Sequence, residues 1–94
     1  MPFLPGVSEL ATGGIIPGGT NDNYHYTMGS VNYGDKVSQI KRLMLNDAQT
    51  SGGLLISCKE KEADKILDGM KDKKILGVLI GRITEKKEVY IKVK

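Results

Sequence analysis

The chain changes its pattern at residue 36, and this change constrains the fold more than any other feature. Residues 1–35 hold seven of the twelve glycines and no lysine or arginine, whereas all fourteen basic residues lie in 36–94. After residue 36, stretches with helical spacing of apolar residues alternate with short, almost wholly apolar runs. This alternation predicts helices packed on a sheet. Because 94 residues can bury only a modest core, we predict a single α+β lobe.

Residues 36–94 predict the order helix, strand, helix, strand, strand. The first helix covers KVSQIKRLML (36–45), with Asp35 as its candidate N-cap. The second covers KEKEADKILDGMKDKK (59–74), with acids in its first turn and lysines at its end, as the helix dipole favours. The three strands are predicted at LLISC (54–58), at the continuously apolar LGVLIGRIT (76–84) and at the alternating EVYIKVK (88–94).

Residues 1–35 carry weaker signals, and any disorder is expected there. PGVSELATGG predicts a short helix that ends at Gly13 and Gly14. IIPGGTNDNYHY predicts a tight polar turn followed by a small aromatic cluster, and TMGSVNYGD predicts an exposed connection.

Two glycine and hydroxyl turns are the candidate chemical features. The first is PGGT (17–20), with Asn23 close behind, and the second is QTSGG (49–53), preceded by Asp47. Such turns can point backbone N–H groups and a hydroxyl at an anion, as phosphate-binding loops do. Neither fits the Walker A pattern, because no lysine follows the glycines. Composition alone favours the simpler interpretation that the glycines permit sharp turns and close packing.

The two turns together resemble selenophosphate synthetase (selenide, water dikinase), whose C-terminal part shows Pro-Gly-Gly-Thr-x-x-Asn and then Asp-(Pro or Ala)-Gln-Thr-Ser-Gly-Gly-Leu-Leu. The similar stretches run from about Leu4 to Thr84 in the order of the family. Related ATP-using enzymes, including aminoimidazole ribonucleotide synthetase, share the broader architecture. The matching positions are Pro17, Gly18, Gly19, Thr20 and Asn23, then Asp47, Ala48, Gln49, Thr50, Ser51, Gly52, Gly53, Leu54 and Leu55.

The resemblance implies that the chain is a fragment of the C-terminal domain, of the aminoimidazole ribonucleotide synthetase type, with helices packed on a mixed sheet. The family makes selenophosphate from selenide, ATP and water, and releases AMP and phosphate. Its N-terminal domain supplies the catalytic Cys or selenocysteine, a lysine and the aspartates that hold magnesium. We therefore expect no catalytic or metal-binding residue in this chain, no tight binding of ATP or Mg²⁺ by it alone, and no activity without the N-terminal catalytic domain as its partner.

The resemblance assigns ten residues to the phosphate side of the cleft that the N-terminal domain would close. They shape the cleft and take no part in proton transfer or nucleophilic attack. Asp47 could orient a metal-bound phosphate, or it could fix its own turn by an Asx-type hydrogen bond. The ten candidates are Gly18, Gly19, Thr20, Asn23, Asp47, Gln49, Thr50, Ser51, Gly52 and Gly53.

Other residues favour structural roles. Cys58 ends an apolar run with no nearby histidine, which predicts a buried structural thiol. His25 has no second histidine or carboxylate at metal spacing, which predicts packing or surface placement. The basic residues are interleaved with acids and lie away from most aromatics, so we predict no nucleic-acid binding. The single cysteine, the lack of a signal-peptide pattern and the lack of a long apolar stretch favour the cytoplasm and no membrane contact.

Two other classes of function stay open beside the enzyme fragment. One is an independent small module that binds nucleotide or phosphate through its glycine turns. The other is an interaction domain, or a homo-oligomer, that associates through exposed strand edges. Binding of Mg-ATP by the isolated chain would favour the first, and concentration-dependent association without ligand would favour the second.

Overall fold

A computed structural model describes all 94 residues of the chain, which form two compact units. The larger unit comprises Phe3–Thr50 and Thr84–Lys94, and the smaller unit comprises Met1–Pro2 and Ser51–Ile83. Helices occur together with a two-stranded parallel sheet, which confirms the predicted α+β class. The elements are α1 (Val7–Thr12), α2 (Gly18–Thr27), β1 (Val31–Tyr33), α3 (Gln39–Leu45), α4 (Glu60–Asp72) and β2 (Ile91–Val93).

The sheet of the larger unit joins two segments that are far apart in sequence. β1 pairs with β2 in parallel, with Val31 opposite Ile91 and Tyr33 opposite Val93. The Gly34 N–H extends the ladder by donating to the Val93 carbonyl at 2.8 Å. Of the C-terminal strand predicted at 88–94, residues Ile91–Val93 therefore form β2. The prediction of an exposed connection in 27–35 was wrong at β1, because the strand depends on a partner sixty residues away that local composition does not indicate.

Three helices complete the larger unit, and both α1 and α2 pack against α3. The buried side chains here are Ala11 on α1, Thr20 on α2 and Val37 just before α3. The short helix predicted before Gly13 is confirmed by α1, and the helix predicted in 36–45 is confirmed by α3.

The structure corrects two local predictions in this unit. Residues predicted as a tight turn after Pro17 instead form helix α2, although glycine, asparagine and threonine are weak helix formers. Long-range hydrogen bonds from its side chains, described below, outweigh that weak propensity. Helix α3 begins later than predicted, and its N-cap is Ser38, whose hydroxyl oxygen accepts from the Lys41 N–H at 3.4 Å. Asp35 is therefore not the cap.

The smaller unit is built around α4, which confirms the helix predicted in 59–74. The apolar stripe of α4 is half-buried at Ala63, Ile66, Leu67 and Met70. Gly77 approaches this stripe so closely that a Cβ there would lie 2.5 Å from the Met70 sulfur. An exposed ion pair joins Arg82 to Glu60 at 2.6 Å.

The strands predicted at 54–58 and 76–84 are not formed in the structure. A strand is defined by hydrogen bonds to a neighbour, and the backbone groups of 52–58 and 76–83 make no backbone hydrogen bond. Their sequences have strand character, but the structure provides no backbone partner for them. None of the four helices is both long and apolar enough to cross a membrane.

Candidate functional site

The structure brings the two glycine and hydroxyl motifs together through Thr20. This side chain is 1% exposed. Its hydroxyl donates to the Asp47 carboxylate at 3.2 Å and accepts from the Ala48 N–H, also at 3.2 Å. Close packing accompanies these bonds, since a Cβ on Gly19 would lie 3.2 Å from the Ala48 Cβ. The first motif and the beginning of the second therefore form one hydrogen-bonded junction in the larger unit.

A second set of hydrogen bonds, centred on Asn46, supports this junction. The Asn46 carbonyl accepts from the Asn23 side-chain amide at 3.1 Å. The Asn46 side chain accepts from the Thr27 hydroxyl at 2.8 Å and donates to the Tyr33 hydroxyl at 2.7 Å. Asn46 also ends α3, where its side-chain amide donates to the Arg42 carbonyl at 2.8 Å. Because Asn46 contacts α2, β1 and α3 at once, it fixes the position of the next residue, Asp47.

The Arg42 side chain completes the surroundings of Asn46. Its guanidinium carbon lies 5.3 Å from the centre of the Tyr33 ring, within the range of a cation–π contact. The Arg42 Nε–H donates to the Val37 carbonyl at 3.0 Å. The arginine is thus held in place beside the tyrosine that Asn46 contacts.

The glycines of the first motif form the N-terminus of α2. Pro17 is the N-cap and provides no side-chain hydrogen bond, and Gly18 and Gly19 are exposed. Their N–H groups make no hydrogen bond within the chain, whereas the Thr20 N–H donates to the Pro17 carbonyl at 3.0 Å. Free N–H groups at a helix N-terminus, together with the helix dipole, favour an anion.

The remaining residues of the second motif directly follow Ala48 and make no hydrogen bond to this junction. Gln49 and Thr50 are exposed at the end of the first segment of the larger unit. Ser51, Gly52 and Gly53 are exposed and belong to the smaller unit. The structure thus unites Gly19, Thr20, Asn23 and Asp47, and the roles predicted for all ten candidates stay predictions.

Asp47 does not make the Asx-type hydrogen bond that was one interpretation of its role. Its carboxylate accepts from Thr20 of the other motif and not from its own turn. An ionised carboxylate is a hydrogen-bond acceptor only, so Asp47 cannot donate to a phosphate. No three acidic, histidine or cysteine side chains come together in the chain. A hard cation such as Mg²⁺ takes several oxygen ligands, so these residues alone do not fit a magnesium site.

Two residues weighed in the sequence analysis also have defined places. His25 is exposed on α2, with its Nδ1 2.8 Å from the Asn21 carbonyl oxygen and its ring 5.8 Å from that of Tyr24. Surface placement is thereby confirmed. Cys58, predicted as a buried thiol, is exposed. The prediction was wrong because burial would require a strand at 54–58 with neighbours to cover it.

Sequence reasoning missed the residues that hold the junction, namely Asn46, Thr27, Tyr33 and Arg42. A signal existed for Asn46, because asparagine directly after an apolar helical stretch is typical of a helix C-terminus. No local pattern indicates that Thr27 and Tyr33 would contact it, since those contacts span nineteen and thirteen residues.

Comparison with known proteins gives consistent relatives. The chain is 39% identical to selenide, water dikinase of Clostridioides difficile (strain 630) over 94 residues, which are 99% of this chain and 27% of that enzyme. It is 39% identical to selenide, water dikinase of Caldanaerobacter subterraneus subsp. tengcongensis over 95 residues, covering all of this chain and 27% of the enzyme. The enzyme of the same name from Aliarcobacter butzleri is 38% identical over 72 residues, which are 77% of this chain and 21% of that enzyme.

The proteins that the chain resembles are thus dikinases by name. All three relatives are named selenide, water dikinase, which confirms the resemblance to selenophosphate synthetase stated from the two motifs. The chain spans about 27% of the length of the first two relatives, and is therefore homologous to part of such an enzyme. No family model and no solved structure matches the chain.

Proposed function

We propose that the chain is the C-terminal part of a selenide, water dikinase and shapes the phosphate side of its active-site cleft. The complete enzyme would make selenophosphate from selenide, ATP and water, and release AMP and phosphate. The fold would be a partial C-terminal domain of the aminoimidazole ribonucleotide synthetase type, acting in the cytoplasm. The N-terminal catalytic domain of the same enzyme would be its partner, and the chain alone would be inactive.

The observation that carries this proposal is the Thr20 junction. A hydroxyl that is 99% buried and hydrogen-bonded to the other motif holds PGGT against Asp47 and Ala48. Glycines that served only separate turns would need no such connection. The junction supports a shared role for PGGT and the beginning of the second motif, Asp47 and Ala48. The two motifs also match the same family in the same order.

The residues of this chain fit a phosphate group better than a metal ion. The N–H groups of Gly18 and Gly19 are exposed and without partners, so they would bind phosphate oxygens and orient them. The resemblance also assigns the exposed hydroxyls of Thr50 and Ser51 to the phosphate side of the cleft, as candidate donors. ATP, when bound in the complete enzyme, supplies the phosphoryl group, and the ligands for Mg²⁺ come from outside this chain.

A chimeric enzyme tests the proposal. The chain replaces its matching region in the selenide, water dikinase of Clostridioides difficile, and selenide-dependent release of AMP from ATP is measured. The double variant T50A/S51A removes both hydroxyls. We expect kcat to fall about tenfold or more, as when donors to developing negative charge are removed, with the thermal midpoint almost unchanged.

The matched control is S8A/T12A, which removes a serine and a threonine that are equally exposed on α1. Its activity and thermal midpoint should both stay close to the parent values. Equal losses of activity and stability in T50A/S51A would favour a scaffold role alone. Unchanged activity in T50A/S51A would contradict the assignment of these hydroxyls to the phosphate cleft.

Titration of the isolated chain distinguishes this proposal from an independent nucleotide-binding module. Amide NMR spectra are recorded before and after addition of Mg-ATP and then of pyrophosphate. We expect no tight binding, with at most weak shifts at Gly18 and Gly19, because no three metal-ligating side chains come together in the chain and two backbone N–H groups offer few contacts to a phosphate. Saturable, tight binding by the isolated chain would favour the independent module.

A further inference from the structure

One face of α2 carries three polar side chains that all bond to the same short segment. Thr20, Asn23 and Thr27 lie three and four residues apart, which places them in one line along the helix. Each of them is hydrogen-bonded to an atom within residues 46–48. From the rise of an α-helix, this line is about 10 Å long. Helix α2 is therefore attached to 46–48 over most of its length, by hydrogen bonds in the place of an apolar stripe.

The two ends of this line are held in different ways. Thr20 is 1% exposed, so packing as well as hydrogen bonds holds the N-terminal end of α2 in place. Thr27 is half-buried in the last turn, and its hydroxyl donates to the Asn46 Oδ1 at 2.8 Å. Between them, the exposed Asn23 donates to the Asn46 carbonyl at 3.1 Å. The attachment at Thr20 fixes the place of the helix end, and the attachments to Asn46 further along fix the direction of the helix axis.

Asn46 can hold α2 because its own side chain is fixed on the other side. Its Nδ2 donates to the Tyr33 hydroxyl of β1 at 2.7 Å and to the Arg42 carbonyl of α3 at 2.8 Å. With its oxygen accepting from Thr27, the amide uses its oxygen and both of its N–H groups. The Arg42 guanidinium in turn lies against the Tyr33 ring, 5.3 Å from its centre. Asn46 therefore ties the direction of α2 to the sheet and to α3 together.

We infer that Asn46 is a positioning residue for the proposed reaction, because it sets the direction of α2 and so aims the backbone of the PGGT motif at the phosphate. This inference rests on the proposed function, in which the N–H groups of Gly18 and Gly19 bind phosphate oxygens. The N–H groups of a helix point along its axis towards its N-terminus, so a tilt of the axis turns them away from the oxygens. Asn46 acts through α2 and does not itself contact the substrate. Small displacements of groups that orient a substrate lower turnover by large factors.

The first measurement is the direction of α2 in the full 94-residue chain. Residual dipolar couplings of the backbone amides, recorded in a weakly aligned sample, give the direction of α2 relative to α3. N46A removes the side chain that holds α2, and T27V removes the hydroxyl that α2 donates to it. We expect α2 to change its direction relative to α3 in both variants, and by more in N46A. Because the Tyr24 ring stays beside the Tyr33 ring, with their centres 6.2 Å apart, α2 should tilt and remain helical.

Two control variants separate the direction of α2 from the stability of the larger unit. T12V removes a hydroxyl at the last residue of α1 that donates to the carbonyl four residues earlier, as the Thr27 hydroxyl also does in α2. A11G removes the buried methyl group of Ala11 and weakens α1, so it destabilises the same unit without touching Asn46. Neither control should change the direction of α2 relative to α3.

The second measurement is turnover in the chimeric enzyme, at a temperature at which each variant is folded. N46A should lower kcat about tenfold and T27V about threefold, because the misdirected N–H groups no longer meet the phosphate oxygens in the transition state. T12V and A11G should keep kcat within about twofold of the parent value. A11G should nevertheless lower the thermal midpoint, as N46A does, so that kcat follows the direction of α2 and not the stability.

The outcomes separate this inference from the proposed function. An unchanged direction of α2 in N46A and T27V would overturn the inference. A changed direction with kcat equal to that of A11G would also overturn it, because the direction of α2 would then not serve the reaction. If N46A does not fold, the comparison of T27V with T12V decides in the same way.

The double variant T50A/S51A completes the separation. A loss of kcat in T50A/S51A, with none in N46A and T27V, would overturn the inference and leave the proposed function standing. The reverse pattern, with α2 tilted and kcat lowered in N46A and T27V but unchanged in T50A/S51A, would support the inference and contradict the assignment of the two hydroxyls to the phosphate cleft.

Discussion

Replacement of Thr20 by valine tests whether hydrogen bonds, rather than packing alone, join the two motifs. Valine keeps the shape of threonine and exchanges its hydroxyl for a methyl group. The change removes the donation to Asp47 and the acceptance from the Ala48 N–H, both 3.2 Å long. Because Thr20 is 1% exposed, the added methyl group is buried in contact with the carboxylate that the hydroxyl had served.

The expected loss follows from the exposure of the two partners. A neutral intramolecular hydrogen bond contributes about 0.5–1.5 kcal/mol, and a bond to a charged group contributes more. Both bonds are long, however, and Asp47 and Ala48 are exposed, so water can replace the lost partner. We therefore expect T20V to lower the free energy of unfolding of the larger unit by about 1–2 kcal/mol.

Urea unfolding followed by tyrosine fluorescence measures this loss. All four tyrosines, at positions 24, 26, 33 and 90, lie in the larger unit, so the signal reports on that unit alone. The control is T12V, which removes the exposed threonine hydroxyl that donates to the Ser8 carbonyl at 2.7 Å. Its effect should stay within about 0.5 kcal/mol. A double-mutant cycle of T20V with D47A should give a coupling energy of about 0.5–1.5 kcal/mol.

A T20V chain as stable as T12V would refute this reasoning, because the buried hydroxyl would then add nothing to the junction. A coupling energy near zero with D47A, despite a loss in T20V, would assign the loss to Ala48 or to packing instead of the carboxylate.

Three further substitutions probe the same contacts. G19A should be less stable than G18A in urea, because a Cβ on residue 19 would lie 3.2 Å from the Ala48 Cβ, whereas a Cβ on residue 18 meets nothing within 4 Å. Equal free energies of unfolding for the two variants would mean that the two motifs can move apart at no cost. N46A should lower the free energy of unfolding by about 1–3 kcal/mol, because its side-chain hydrogen bonds are lost. The control N32A, at an exposed strand position, should change the stability little. G77A should move the Met70 methyl resonance in NMR spectra, because the added Cβ would lie 2.5 Å from its sulfur; an unmoved resonance would contradict the close approach.

Local sequence patterns predicted the elements whose stabilising contacts are themselves local. Helix α4 carries its apolar stripe, its acidic first turn and its basic end within one segment, so its position follows from the periodicity. The position of helix α2 does not follow from a local pattern, because its residues are weak helix formers. Its stability depends on hydrogen bonds from Thr20, Asn23 and Thr27 to residues that follow α3. Strand β1 was missed for the same reason, since its partner lies at the other end of the chain.

The candidate site likewise contains residues that local patterns indicate and residues that they do not. The two motifs were recognisable from residue types and order, and the Thr20 junction between them supports that recognition. The Asn46 contacts were not recognisable, because they join residues that follow no common period. The segments 54–58 and 76–83 are the opposite case: their strand pattern is clear, but a strand also requires a neighbour that the pattern does not specify.

The burial of Thr20 separates two roles that the motifs suggested together. Its hydroxyl already donates to Asp47 and accepts from Ala48, and it is closed to solvent, so it is not free to bind a phosphate. What the first motif can offer a ligand is therefore the backbone of Gly18 and Gly19. Binding of a ligand by backbone N–H groups depends little on side-chain chemistry but strongly on the backbone conformation. In the chimeric enzyme, T20V should therefore reduce stability before it reduces kcat, whereas T50A/S51A should do the opposite. If T20V instead abolished turnover at unchanged stability, the hydroxyl would have to leave its buried position and act on the substrate.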